Sequence, residues 1–238
     1  MPVLKTMKSW VTKSNYKIVQ LLSGRSNVFL LTNEEKNILI DTSPAYRWKK
    51  LEKNLMAFGV QHIDYLVLTH THFDHAANAN RIKEKYGARV IVHKTEASFL
   101  EKGENILPRG TNLLSQTIIR VMKNTFTRWF GYEPCTYDYV VDSVFDLKDF
   151  GFSACIIHTP GHTPGSISLI IDNEIALVGD TMFGIFRNSV FPPFANDVEQ
   201  LIASWGKLLK TGCSVFLPSH GSANNRELLE KEYHLFKN

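Results

Sequence analysis

The apolar run Ile63–Thr69 ends directly in histidines, Thr69-His70-Thr71-His72-Phe73-Asp74-His75, so that three of the chain's nine histidines fall within six residues. A continuous apolar run of this kind reads as a strand buried on both faces, which leaves the imidazoles and the carboxylate crowded at its C-terminal end. Core packing cannot satisfy that crowding; a cation makes it favourable. His70 and His72, two apart in an extended turn, can point the same way, while Asp74 and His75 turn toward a neighbouring position. One stretch can therefore feed two metals, and the fold has to bring further ligands to the same strand end.

Such groups follow downstream, each just after an apolar strand. Ile156-Ile157-His158-Thr159-Pro160-Gly161-His162-Thr163-Pro164-Gly165 puts His162 in a tight proline/glycine loop. Ala176-Leu177-Val178-Gly179-Asp180-Thr181 ends in a carboxylate, and Val215-Phe216-Leu217-Pro218-Ser219-His220-Gly221 ends in a histidine. Singly, each has a plainer reading as a loop hydrogen bonder or helix cap; in order, with the same strand-to-ligand placement, they read as a ligand set. Gly161 and Gly165 read as suppliers of backbone freedom, and Thr71 and Thr181 as loop hydrogen bonders. His62, His93 and His234 read as surface or structural residues.

Apolar runs bounded by turn residues predict strands at 17–22, 27–32, 37–41 and 63–69, then 89–93, 139–147, 152–158, 166–171, 174–178 and 214–217. Helices are predicted at 44–58, with Gly59 at the C-terminal cap, and at 76–86, 94–101, 198–210 and 224–236. Strands followed by helices, twice over, imply an α/β sandwich of two similar halves rather than a doubly wound sheet.

The set HxHxDH, HTPGHT, GDT and PSHG resembles that of the metallo-β-lactamase-fold hydrolase superfamily, and its glyoxalase II-like branch in particular, from about Val19 to Gly221. The resemblance implies a four-layer αβ/βα sandwich, here a single domain over residues 1–238, with a dinuclear site at one edge of the two sheets. Two zinc ions are the expected cofactor, with iron or manganese as alternatives. His70, His72 and His162 would hold the first metal and Asp74, His75 and His220 the second, with Asp180 bridging. A hydroxide shared by the metals would attack a carbonyl, and Asp74 would be the catalytic residue that holds it and passes its proton on. Asp41 matches the superfamily's acidic residue after an early strand, where it would support the ligand loop; a turn or cap for the helix at Pro44 is the equal alternative. His158 is expected in the strand or behind the ligands.

Between Asn105 and Tyr132 the chain carries Arg109, Arg120, Lys123 and Arg128 and no acid. On a helix, Leu114, Ile118, Val121, Met122 and Trp129 share a stripe flanked by Ile119, Phe126 and Phe130. This reads as an insertion (about 103–138) that either covers core or forms a lid over the metal groove, with Ile118, Met122, Phe126, Trp129 and Phe183 facing a partly hydrophobic substrate. A membrane surface or a second copy of the chain is the other occupant such a stripe can take, so a homodimer stays open.

The expected function is a metal-dependent hydrolase of a thioester, lactone or ester; the alternatives are a mononuclear-iron persulfide dioxygenase-like oxidoreductase, a phosphodiesterase and a non-catalytic metal-binding protein. Only 17 residues follow Gly221, so the basic helical domain of glyoxalase II enzymes, and glutathione recognition with it, is expected to be missing. Superfamily lactonases can bear a tyrosine three residues after the bridging aspartate, where this chain has Phe183; Tyr132, Tyr137 or Tyr139 are the candidate substitutes. The net charge of +4 comes with no long basic run, so the expected partner is a small molecule and not nucleic acid. Met1–Asn15 lacks an apolar run, no window is long and apolar enough for stable membrane insertion, and three widely spaced cysteines fit a reducing compartment; a cytoplasmic location is expected.

Overall fold

A computed structural model describes residues 7–126 and 131–237. Its first sheet has seven strands in sequence order: β1 (Ser9–Val11), β2 (Lys17–Leu22), β3 (Val28–Thr32), β4 (Asn37–Ile40), β5 (Tyr65–Val67), β6 (Arg89–His93) and β7 (Tyr139–Val141). Pairing is antiparallel through β4 and parallel from β4 to β7. The second sheet runs β13 (Asn224–Asn225), β12 (Val215–Pro218), β11 (Ile175–Gly179), β10 (Ile167–Ile171), β9 (Ala154–His158), β8 (Val144–Asp146). The helices are α1 (Trp48–Ala57), α2 (Phe73–Ala76), α3 (Ala79–Tyr86), α4 (Lys94–Lys102), α5 (Leu113–Phe126), α6 (Val198–Leu209) and α7 (Arg226–Lys237).

Alternation along the strands sorts their side chains into layers. Ile18, Leu31, Ile38 and Ile40 face inward onto Ile156, Leu169, Leu177 and Leu217 of the second sheet. Their neighbours Val19, Leu30 and Leu39 turn outward onto Leu51 and Leu55 of α1 and Ile82 of α3. Ala176 and Val178 turn outward from the second sheet onto Leu201, Trp205 and Leu208 of α6 and Leu229 of α7. The result is the four-layer αβ/βα sandwich that the motif set implied, with the loops that carry the candidate ligands at one edge of the two sheets.

Three local expectations change. The stretch 139–147 is not one strand: Val141 pairs with His93 in the first sheet and Val144 with Ile157 in the second, so the chain crosses between sheets at Asp142-Ser143. A single apolar run carries no mark of the sheet it pairs with. The helix expected at 76–86 begins at Phe73 and breaks at Ala77-Asn78, because the Asn78 amide donates to the carbonyls of Thr42, Ser43 and Pro44 and its backbone N–H to Thr42 Oγ1. Residues 224–225 pair with β12 before the last helix starts.

The three cysteines are free. Among the described residues, no helix is long and apolar enough to cross a membrane.

Candidate metal centre

Each candidate ligand sits where a strand has just ended. His70 and His72 follow β5, and Asp74 and His75 occupy the first turn of α2. His162 lies in the loop after β9, Asp180 directly after β11 and His220 after β12. All but His220 are buried.

His70 Nε2 lies 2.9 Å from His72 Nδ1, and His162 Nε2 lies 3.1 Å from the same atom. Two imidazoles can share one proton, but one nitrogen cannot satisfy two neighbours that way. His162 Nδ1 donates to the Phe194 carbonyl at 2.9 Å, which leaves its Nε2 lone pair aimed inward. Burial first, then the neighbouring histidines, hold His70 and His72 well below the usual imidazole range. Burial likewise lowers His162. The neutral, lone-pair form a metal needs is therefore the form these three adopt.

The second group is charged. His220 Nε2 lies 3.2 Å from Asp180 Oδ2 and 3.6 Å from Asp74 Oδ2. His75 Nε2 lies 3.7 Å from Asp180 Oδ1 and 3.8 Å from Asp74 Oδ1. Burial opposes the charged form of His75, yet Asp180, Asp41 and Asp74 hold it up at about 10. His220 is raised in the same way, against burial, chiefly by Asp180, while His220, His75 and His162 hold the Asp180 carboxyl far below its usual range despite burial. Donor atoms of His70, His72 and His162, of His70, His75 and Asp180, and of Asp74, His75 and His220 each lie within 4.8 Å of one another.

Two of these atoms test whether a metal fits. His75 Nε2 and Asp180 Oδ1 are buried and have no hydrogen-bond partner among the described residues. An orphaned buried polar atom costs about 1–3 kcal/mol, and a cation between them removes that cost. A donor set of histidine nitrogens and carboxylate oxygens without thiolate suits zinc, and also iron or manganese.

Asp41 decides between its two readings by its contacts. It is fully buried, sits at φ 60°, and accepts from Thr69 N–H (2.8 Å), Thr69 Oγ1 (2.9 Å), Ser219 Oγ (2.9 Å) and His75 Nδ1 (2.8 Å). One carboxylate thus ties β4, the histidine turn and the His220 loop together and leaves His75 Nε2 as the ring nitrogen that could take a metal. The 3-10 turn after Pro44 has no side-chain cap, so the capping alternative falls away. His158 does not reach the ligands. Its Nε2 donates to the Pro164 carbonyl at 2.8 Å and its ring stacks on His93, 4.1 Å between centroids, so it braces the far end of the His162 loop. Gly161 does need glycine's freedom, with φ 134° and a would-be Cβ 2.4 Å from the Leu201 backbone. At Gly165 the reason is different: a Cβ would strike Glu96.

Glu96, buried on α4, went unnoticed in the sequence because nothing local marks it. Its carboxylate accepts from Thr71 N–H and Thr71 Oγ1 between the two paired histidines, and from Gly165 N–H at 3.2 Å. Tyr132 adds a bond from its hydroxyl to the Thr71 carbonyl at 2.9 Å. Glu96→Gln is expected to weaken metal binding by about 10–100-fold, read by competition with a chromophoric chelator; unchanged affinity would show that the turn holds its shape without this anchor.

A cavity of about 360 Å3 opens on the cluster, walled by Phe73, Leu107, Pro108, Ile118, Ile119 and Phe194. Phe183 stacks on the His220 ring, 4.6 Å between centroids, and also faces this space. The insertion is stapled at its start: Gly110 bridges to Phe194, Thr111 N–H donates to the Pro193 carbonyl, and Ala195 N–H to Arg109. The segment that receives it is the one orienting His162.

The packed face of α5 is not the expected stripe. Ser115 and Ile119 are buried, whereas Leu114 and Val121 are exposed and Ile118 is 42% exposed at the cavity wall. The side chains of Met122 and Phe126, and all of Trp129, lie outside the described residues.

A sequence model of the metallo-beta-lactamase superfamily matches residues 23–220. A "probable metallo-hydrolase" of Methanocaldococcus jannaschii is 31% identical over 161 residues, 66% of this chain and 68% of that one. The hydroxyacylglutathione hydrolase GloC of Haemophilus influenzae is 29% identical over 213 residues, 87% and 91% of the two chains. Among solved structures, the BLEG-1 B3 metallo-beta-lactamase aligns with a TM-score of 0.70 at 20% identity, covering 94% of this chain and 100% of that one.

Proposed function

The chain belongs to the metallo-beta-lactamase superfamily and is a metal-dependent hydrolase; we propose that it holds two zinc ions and cleaves the thioester, lactone or ester bond of a small, partly hydrophobic molecule. One observation carries this reading: seven side chains able to ligate a metal gather in one cluster, and five of them, His72, Asp74, His162, Asp180 and His220, line an apolar cavity large enough for a small-molecule acyl group. The 29% identity to GloC over 87% of the chain supports the glyoxalase II-like branch and, with it, a carbonyl substrate over persulfide oxidation or phosphodiester cleavage.

When bound, the metals supply Lewis acidity and a water acidified toward neutral pH. His70, His72 and His162 present neutral nitrogens to one position. Asp74, His75 and His220 serve the other, with Asp180 between them, its two oxygens facing His75 on one side and His162 and His220 on the other. Asp74, which also faces the cavity, takes the proton of the attacking water and returns it to the leaving group. Phe183 and the walls Leu107, Ile118 and Phe194 exclude bulk water and receive the acyl chain. The test is the metal content of protein purified without added metal, followed by thioester and lactone hydrolysis. About two zinc per chain with turnover of either class supports the reading; about one iron per chain with sulfur-dependent oxygen uptake overturns it.

The two positions should respond differently to pH. His75 is held up at about 10 and so carries a proton at neutral pH that a metal must displace, and His220 is shifted in the same direction, so affinity there rises with pH. His70, His72 and His162 are shifted the other way, toward the neutral form, so affinity there depends far less on pH. Zinc titrations at pH 6, 7 and 8 should show the second equivalent tightening about tenfold or more per pH unit and the first changing little. Equal slopes would contradict this division of the ligands.

A further inference from the structure

The cavity over the metal cluster contains a charge that the hydrolytic machinery does not use. Among the described residues its acids are Asp74 and Asp180, both among the candidate ligands, and its one guanidinium or ammonium group is that of Arg25. The Arg25 guanidinium lies 5.8 Å from the centroid of the Phe73 ring, and none of the ion pairs among the described residues uses it.

The backbone beside Arg25 is anchored to the metal loops. Ser26 Oγ donates to the Asp74 carbonyl at 2.7 Å. Asn27 donates through its backbone N–H to the Ser219 carbonyl at 2.6 Å and through Nδ2 to the carbonyls of Pro218 and Gly221. Arg25 is therefore held at a set place on the rim, while its side chain is left exposed to whatever enters.

A second donor meets the same corner. Asn105 Oδ1 accepts the Phe73 backbone N–H at 2.9 Å, which fixes the orientation of the amide. Its Nδ2 is buried with no partner among the described residues, although Asn105 lines the cavity. Phe73 is thus flanked by a cation over its ring and an unsatisfied amide donor at its backbone. A guanidinium edge plus one amide N–H matches a planar carboxylate with two acceptor oxygens, and the apolar walls lower the dielectric in which the pair would form.

We propose that the substrate is an acyl compound with a carboxylate remote from the scissile carbonyl, and that Arg25, assisted by the Asn105 amide, is the residue that selects it. This rests on the carbonyl-hydrolase reading above. Phe73 sets the position of the guanidinium, the cavity walls take the methylene chain, and the carbonyl end lies at the metal ligands. Carboxylate direct to the metals is the competing mode, and the Arg25 dependence separates the two.

The test is calorimetric titration of the zinc-loaded protein with the half-amide of octanedioic acid and with the methyl ester of that half-amide, which has the same chain and no charge. The wild-type protein is expected to prefer the anionic probe at least tenfold. In Arg25→Gln that preference should fall to about onefold, and Arg25→Lys should restore part of it; melting temperature and zinc content report that both variants fold. A preference unchanged in Arg25→Gln, or no binding of the anionic probe to the wild type, overturns the proposal. The 4-nitrophenyl half-ester and methyl 4-nitrophenyl diester of the same acid are assayed in parallel. Arg25-dependent binding without hydrolysis of any ester or thioester would sink the hydrolase reading and keep the anion site. Hydrolysis of both esters without an Arg25-dependent preference would do the reverse.

Discussion

Asp74→Ala is expected to lower kcat by about 10^2–10^4-fold even when zinc is supplied in excess, the range for losing a positioned general acid/base. Asp74 is placed for that task by two independent restraints. It sits in the first turn of α2, and its carbonyl receives the Ser26 hydroxyl, so the carboxylate keeps its aim at the cavity. Because Asp74 is also a candidate ligand, metal content has to be measured in the same preparation by plasma mass spectrometry. Loss of about one zinc with full recovery of activity at high zinc would reduce Asp74 to a ligand. Retention of both metals with undiminished activity would remove it from the mechanism altogether.

The largest effect on stability is expected from Asp41→Ala. The carboxylate is fully buried and receives donors from Thr69, His75 and Ser219. Removing it leaves those donors unpaired, including an imidazole held in its charged form by its neighbours. Breaking a buried charged pair in this way costs about 3–5 kcal/mol, or roughly 6–20 °C in melting temperature for a chain of this size. Zinc affinity should fall with it, since His75 loses the acceptor that orients its ring. Asp41→Asn keeps the shape and one acceptor oxygen and should lose less of both. A melting temperature within about 2 °C of the wild type for Asp41→Ala would mean that water takes over the carboxylate's place.

The two aspartates also mark where sequence reasoning is strong and where it stops. Asp74, His70, His72 and His75 belong to one short stretch, and His162, Asp180 and His220 each close an apolar run, so periodicity and strand ends were enough to place them. Asp41 stood undecided between a loop support and a helix cap, because a lone carboxylate after a strand fits both. The bond from Ser219 Oγ, 178 residues away, is what separates the readings. Similarly, the helical stripe of Leu114, Ile118 and Val121 was legible as amphipathic, but not the side that packs. Ser115 and Ile119 are the buried pair, since the bridge from Gly110 to Phe194 sets the angle at which the helix is laid down.

By itself, then, the sequence determined the α/β sandwich and the histidines and aspartates that close its strands, since these are written in side chains within a few residues of a strand end, and the resemblance of those motifs supplied the four-layer arrangement. The tertiary structure alone decided the contacts of Glu96, Tyr132 and Asn105. Each acts through a partner on another segment: Glu96 on Thr71, 25 residues away, Tyr132 on the same residue, 61 away, and Asn105 on Phe73, 32 away. A hydrogen bond across such a separation depends on how sheets and helices stack and not on local pattern. For that reason the metal floor could be read from the chain, while the supports behind it and the rim above it could not.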